Sequence, residues 1–204
     1  MKLLAMLLIA LICPVAVLGQ AAPASSKEEA ALAMIARLGG TAEVDETLPG
    51  KPVVKVDLHA TAVTDADLAA LRSLSQLRRL DLRLTKITDA GVAHLRDLRQ
   101  LVFLNLFRTS LTDQGLRQLR NLRELDTLLI GGTKITDAGL ANLTPFRKLR
   151  KISLFDTQAT DAAVLHLRKL SRLETVLVGK SRITEAGMKS LQASLPAVKF
   201  TEPT

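Results

Sequence analysis

The sequence is poor in aromatic side chains and nearly devoid of cysteine. It contains five phenylalanines, no tyrosine, no tryptophan and a single cysteine, Cys13. One cysteine excludes an internal disulfide, so the core alone must hold the fold together. Without tyrosine and tryptophan, the chain lacks the side chains that most often stack on bases, which argues against a nucleic-acid-binding function.

A fixed repeat of 24 residues organises the chain. The dipeptide Thr-Asp recurs with this step and without a slip, and the last copy replaces Asp by Glu. The six copies are Thr64-Asp65, Thr88-Asp89, Thr112-Asp113, Thr136-Asp137, Thr160-Asp161 and Thr184-Glu185. A period of this size with regularly spaced leucines is typical of a solenoid, in which similar units stack on one another.

The copies share the consensus L-x-x-L-x-L-x-x-T-x-I-T-D-A-G-L-x-x-L-x-x-L-x-x, as in residues 77–98 and 101–122. This pattern resembles leucine-rich-repeat proteins, in the form with T-D-A-G-L repeats known from bacterial envelope proteins. It is more distantly similar to the repeat part of F-box substrate receptors. The resemblance covers residues 53–195 and implies an α/β fold: a right-handed leucine-rich-repeat solenoid with a parallel β-sheet on the concave face and short helices on the convex face.

The residues themselves support the same architecture. The L-x-L segment alternates with a period of two, as in a half-buried strand. Each Thr-Asp is predicted to begin a helix, with the threonine as N-cap and the aspartate facing the positive end of its own helix dipole. The recurring Gly91, Gly115, Gly139 and Gly187 are expected to permit close packing at the helix start.

The sequence divides into five segments. Residues 1–19, with Lys2 before an apolar run, are predicted to be a signal peptide cleaved after Gly19 or Ala21. An uncleaved anchor is the alternative, although the run is shorter than a membrane span needs. Cleavage would place the protein outside the cytoplasm, secreted or periplasmic. The other predicted segments are a linker (20–25), an N-terminal cap made of a helix and an edge strand (26–50), six leucine-rich repeats (51–196) and a C-terminal tail or partial repeat (197–204).

No catalytic or metal-binding group is predicted. His94 and His166 occupy the same helix position three copies apart, in a column expected to face solvent, and His59 is the only other histidine. The aspartate ladder suggests calcium as an alternative, but a carboxylate at each helix N-terminus explains each copy by itself. No G-x-x-x-x-G-K pattern accompanies the glycines, so no phosphate loop is expected.

Basic residues form two further columns near the helix ends. Cations there favour the negative end of each helix and keep this face soluble. The alternative is a basic ridge that contacts an anionic polymer or membrane surface, and the excess of eight positive charges is compatible with both. The columns are Arg72, Arg96, Arg120 and Arg168, followed by Arg99, Arg123 and Arg147.

The outward-facing strand positions differ most between copies, and they carry the predicted binding site. Phe107 and Phe155 fall in one column with Gly131 between them, which predicts a notch flanked by two rings about 10 Å apart. Apolar residues with a charged rim are typical of binding sites. The predicted site comprises Phe103, Phe107, Leu129 and Phe155, with Arg79, Arg83 and Lys151 around them.

The predicted function is therefore that of a non-enzymatic, monomeric scaffold that binds an unknown protein or peptide through its concave face. Neither a cofactor nor nucleic acid is expected, and membrane contact is expected only through an uncleaved signal segment or the basic ridge. Two alternatives stay open: a structural envelope component that binds anionic polymer or membrane through the ridge, and an adaptor similar to the repeat part of F-box receptors.

Overall fold

The computed structural model describes residues 26–201. The predicted signal peptide, the linker and the last three residues lie outside this range. The strands are β1 (Thr41–Val44), β2 (Val53–Asp57), β3 (Arg79–Asp81), β4 (Phe103–Asn105), β5 (Thr127–Leu129), β6 (Lys151–Ser153), β7 (Thr175–Leu177) and β8 (Lys199–Thr201). The α-helices are α1 (Ser26–Arg37), α2 (Asp89–Val92), α3 (Asp113–Gln118), α4 (Asp137–Leu140), α5 (Val164–Leu167) and α6 (Glu185–Ser194).

All eight strands form one sheet in chain order. Strands β2 to β8 are parallel, and each pairs with the next in a register of one repeat, so that Arg79 lies opposite Phe103 and Phe103 opposite Thr127. Short α-helices and 3₁₀ segments alternate with the strands, and the predicted α/β solenoid is confirmed. At the N-terminal end, β1 pairs antiparallel with β2, while α1 packs on the 3₁₀ segment Asp67–Ser73.

The core consists of aliphatic columns that run through the stack. The central strand residues Leu80, Leu104, Leu128, Ile152 and Val176 are all fully buried. Identical positions in successive copies meet the same environment, which explains why one type of mid-sized side chain fills each column. The one fully buried aromatic, Phe146, replaces a leucine in such a column, as its position predicts, whereas Phe200 is half-buried.

The Thr-Asp ladder joins neighbouring copies to each other. Asp113 Oδ1 accepts the backbone N–H of Thr136 at 2.8 Å, and Asp113 Oδ2 accepts the Thr136 hydroxyl at 2.6 Å. The Thr136 hydroxyl in turn accepts the N–H of Ala138, which confirms the predicted N-cap. Each aspartate from the second copy to the fifth lies in the first turn of its own helix, as predicted, but its hydrogen bonds go to the next copy, which the sequence did not predict. The other pairs are Asp65–Thr88, Asp89–Thr112, Asp137–Thr160 and Asp161–Thr184.

The recurring glycine makes room for this ladder. A Cβ atom on Gly139 would lie 2.1 Å from Asp113 Oδ1, a distance that no side chain tolerates. The fifth copy has Ala163 instead, and its helix starts as the 3₁₀ segment Asp161–Ala163, whereas the copies with glycine start as α-helices. The Asp137–Thr160 pair forms beside Ala163 as well, so what the glycine allows is an α-helical start next to the carboxylate of the preceding copy.

The ladder predicts that the fold weakens in acid. Hydrogen bonds from the N–H and hydroxyl of Thr184 hold the pKa of Asp161 below its usual value. A pKa that folding lowers contributes stability above about pH 4, and this contribution is lost as the pH falls through the folded-state value. We expect Asp161→Asn to lower the urea midpoint at pH 7 and to differ much less from wild type near pH 2.5. An equal difference at both pH values would contradict this assignment.

Candidate functional site

The outward surface of β2 to β8, together with the residues that directly follow these strands, is called the strand face below. A depression of about 310 Å³ crosses it from β3 to β7. The structure places four of the seven predicted site residues at its lining: Arg83, Phe107, Leu129 and Lys151. The lining also contains Leu84, Asn105, Ser153 and Leu177.

Two further predicted residues, Arg79 and Phe103, lie beside the depression and not in its lining. They are paired positions on the adjacent strands β3 and β4. The Arg79 guanidinium carbon lies 4.1 Å from the centre of the Phe103 ring, a cation–π contact in which the arginine covers the ring face. Phe103 is consequently half-buried and offers a partner less bare ring than the sequence predicts.

The predicted notch between Phe107 and Phe155 is absent from the strand face of residues 26–201. The two ring centroids are 6.3 Å apart at an interplanar angle of 40°, so the rings meet over Gly131. A Cβ atom on Gly131 would lie 3.1 Å from Phe107 Cδ2 and 2.8 Å from the Phe155 carbonyl oxygen. Glycine thus lets the rings lean together, and only 9% of Phe155 is exposed. The prediction failed because strand spacing fixes Cα positions but not the tilt of the rings.

Cations also flank these two rings. The Arg108 guanidinium carbon lies 5.2 Å from the centroid of Phe107, and the Lys180 ammonium lies 5.5 Å from that of Phe155. With Arg79 over Phe103, each of the three outward phenylalanines has its own cation. The strand face therefore combines apolar surface with positive charge at the same places.

Four residues of the lining were not predicted from the sequence, for two reasons. Leu84 has a φ of 58° and lies 48% exposed at the edge of the depression. The equivalent residue has a left-handed backbone conformation in every copy. Gly132 is the only glycine among them, and it was the only sign of this conformation in the sequence. The second reason is burial. Asn105, Ser153 and Leu177 point outward but are buried between larger neighbouring side chains, which the sequence pattern does not show.

The acidic groups of the strand face are tied to their own copies. Burial alone would raise the pKa of Asp57, but hydrogen bonds from the His59 backbone and ring hold that pKa below its usual value. Asp81 accepts the amide of Arg83 and the side-chain amide of Asn105, and lies 3.6 Å from the Arg83 guanidinium. Because these two carboxylates bind partners within their own part of the strand face, they offset little of the positive charge of Arg108, Lys151 and Lys180.

The opposite, helix-bearing face carries a basic cluster. Arg96, Arg117 and Arg120 surround a depression of about 230 Å³, and neither Arg117 nor Arg120 forms a salt bridge within residues 26–201. His94 lies two residues before Arg96, whereas His166 lies three copies away, and both side chains are half-buried rather than fully facing solvent. Of the predicted basic columns, Arg96 and Arg120 line this depression, and Arg123 and Arg147 line a second one together with Lys148 and Glu124.

Within the described residues, no group of three or more His, Cys, Asp or Glu side chains is arranged to hold a metal ion. In the same part of the chain, none of the helices combines the length and the apolar character that crossing a membrane requires.

No protein-family model and no curated protein matches the sequence. Two solved structures from Listeria monocytogenes are similar to it: an internalin, InlF, with a TM-score of 0.54, and an internalin C2, InlC2, with a TM-score of 0.51. Both are 19% identical to this chain, and the match covers 84% of it. Internalins are leucine-rich-repeat proteins. The chain has the leucine-rich-repeat fold.

The two leucine-rich-repeat relatives differ in how much of them is matched. The chain spans 54% of InlF, about half of that protein, and 92% of InlC2. At this identity the likeness shows the fold, and the function of this leucine-rich-repeat chain has to be argued from its own strand face.

Proposed function

We propose that this chain is a non-enzymatic leucine-rich-repeat scaffold that binds a protein or peptide on its strand face, outside the cytoplasm. The observation that carries the proposal is the depression between β3 and β7, where Phe107, Leu129 and Leu177 form the apolar part and Arg83 and Lys151 the charged part. Binding sites on proteins combine a desolvated apolar centre with a polar rim in this manner.

Two further features support a binding role. Leu84 is held in a left-handed backbone conformation that costs a leucine on the order of 1–2 kcal/mol, yet it stays exposed at the edge of the depression. The same conformation recurs in every copy, so the fold imposes it; what distinguishes the second copy is that a large apolar side chain stands there in solvent. The proposed export depends on residues 1–19, whose charged start and apolar run have the form of a signal peptide.

The proposal is tested by removing the apolar part of the depression. We expect Phe107→Ala/Leu129→Ala to weaken binding to the protein that wild type captures from envelope extracts by at least about tenfold, equivalent to 1.4 kcal/mol. Phe155 is unsuitable for this purpose because it is nearly buried, and its truncation would disturb the sheet. The measurement is affinity capture followed by titration of the purified partner.

The control is Leu165→Ala, which removes an apolar side chain of the same size as Leu129 that is 52% exposed on the helix-bearing face. This variant should bind as wild type does. Equal affinity of all three proteins, with unchanged circular dichroism, would refute the site. Equal loss in both variants would show that binding does not depend on the strand face.

A second candidate function is contact with an anionic polymer or membrane through Arg96, Arg117 and Arg120. The observation that favours it is the grouping of these guanidiniums around one depression, two of them without a salt bridge within residues 26–201. It requires association with anionic vesicles that falls steeply with ionic strength, is lost in Arg117→Gln/Arg120→Gln and is indifferent to Phe107→Ala/Leu129→Ala.

A further inference from the structure

The copies differ in whether a side chain accepts a hydrogen bond from one backbone amide just after each strand. In the first three, an outward side chain accepts the N–H two residues later: Asp57 from His59, Asp81 from Arg83 and Asn105 from Phe107, at 2.9–3.1 Å. The acceptor is a carboxylate or an amide oxygen in each case. These copies therefore satisfy their own strand-end amides on the strand face.

In the next three copies no such hydrogen bond forms: two of the equivalent side chains are leucines, and the hydroxyl of Ser153 does not accept the Phe155 amide. The equivalent side chains are Leu129, Ser153 and Leu177, and all three line the depression. The amides that follow are those of Gly131, Phe155 and Gly179, and no residue between 26 and 201 accepts a hydrogen bond from any of them. Gly131 lies beneath the paired rings, whereas the Phe155 and Gly179 amides come two residues after the lining residues Ser153 and Leu177.

The charges around these two amides are mainly positive. Lys151 lines the depression and forms no ion pair within the described residues, and Lys180 and Arg108 stand over the Phe155 and Phe107 rings. Asp156 is the exposed carboxylate nearest in sequence to these amides. Unpaired backbone N–H groups next to cations are a site for a negatively charged acceptor.

We propose that the depression recognises an acidic peptide segment in which an Asp or Glu lies beside an apolar side chain. The carboxylate accepts the amides of Phe155 and Gly179, replacing the acceptors that the first three copies carry in their own sequence, and Lys151 stabilises its charge. The apolar neighbour packs on Leu129, Leu177 and Phe107. This inference rests on the proposed function and names the chemistry of the partner.

The repeat itself supplies the decisive variant. Leu177→Asn gives the sixth copy the acceptor that Asn105 provides in the third, so the Gly179 amide becomes satisfied within the chain. Leu177→Ala removes the same apolar contact and supplies no acceptor. Because Leu177 is nearly buried, a second variant is needed whose folding is not at risk: Lys151→Gln, on an exposed side chain, with Lys169→Gln on the helix-bearing face as its control.

The probe is a displayed library of random 12-residue peptides selected on wild type, followed by titration of the enriched peptides. We expect enrichment of Asp or Glu next to Leu, Ile, Val or Phe. Binding should weaken at least about fivefold more in Leu177→Asn than in Leu177→Ala, and about fivefold in Lys151→Gln, with no change in Lys169→Gln. Replacing the peptide carboxylate by its amide should abolish the effect of Lys151→Gln.

The outcomes separate this inference from the proposed function. Enriched peptides without acidic residues, or equal binding by Lys151→Gln and wild type, would overturn the inference while the strand face stayed a peptide site. Equal losses in Leu177→Asn and Leu177→Ala would overturn the role of the Gly179 amide. A selection that enriches nothing on wild type would overturn the inference, while the proposed function would still stand or fall on the capture of a protein partner.

Discussion

Replacing Asp113 by alanine is expected to lower the free energy of unfolding by about 3 kcal/mol, although its side chain lies near the surface. The carboxylate makes two hydrogen bonds to the next copy, through the N–H and the hydroxyl of Thr136. Hydrogen bonds to charged groups contribute about 1.5–3 kcal/mol each, and water replaces part of what is lost. Urea denaturation of the whole chain measures the change.

A double-mutant cycle assigns this loss to the ladder. If Asp113 acts mainly through Thr136, then Thr136→Ala in the Asp113→Ala background should cost clearly less than Thr136→Ala alone, with a coupling of about 1–2 kcal/mol. Asp97→Ala removes a carboxylate that bridges only its neighbour Arg96 and should cost less than about 0.5 kcal/mol. Additive effects of Asp113→Ala and Thr136→Ala would refute the inter-copy role.

Much of the fold could be predicted from the sequence because it depends on periodicity alone. The spacing from Thr88 to Thr112 and onward fixed the repeat, and the L-x-L alternation fixed which residues enter the core. The threonine caps were predictable because an N-cap is a local hydrogen bond within one copy. The aspartate partner was not, because the bond from Asp113 to Thr136 depends on how copies stack.

The candidate site was only partly predictable for the same reason. Columns placed Arg83, Phe107, Leu129 and Lys151 on one face, and the structure brings these four together around one depression. The tilt of the Phe107 ring toward Phe155 follows from the missing side chain at Gly131, which is a contact across strands. The unsatisfied amide of Gly179 becomes visible only when its hydrogen bonds are compared with those of His59 and Phe107.

The largest loss of stability is expected from Phe146→Ala, at about 3–5 kcal/mol. Phe146 is fully buried and occupies a column filled by Leu122 and Leu170 in the adjacent copies, so its truncation opens a cavity between stacked units. Phe146→Leu restores the side chain of those neighbours and should cost only about 1–2 kcal/mol. In a solenoid the loss falls on the contacts between copies, so Phe146→Ala should also reduce the slope of the urea transition as the two halves uncouple. Equal stabilities of the alanine and leucine variants would contradict this prediction. They would mean that neighbouring side chains fill the cavity left by the ring and that Phe146 does not stabilise the contact between adjacent copies.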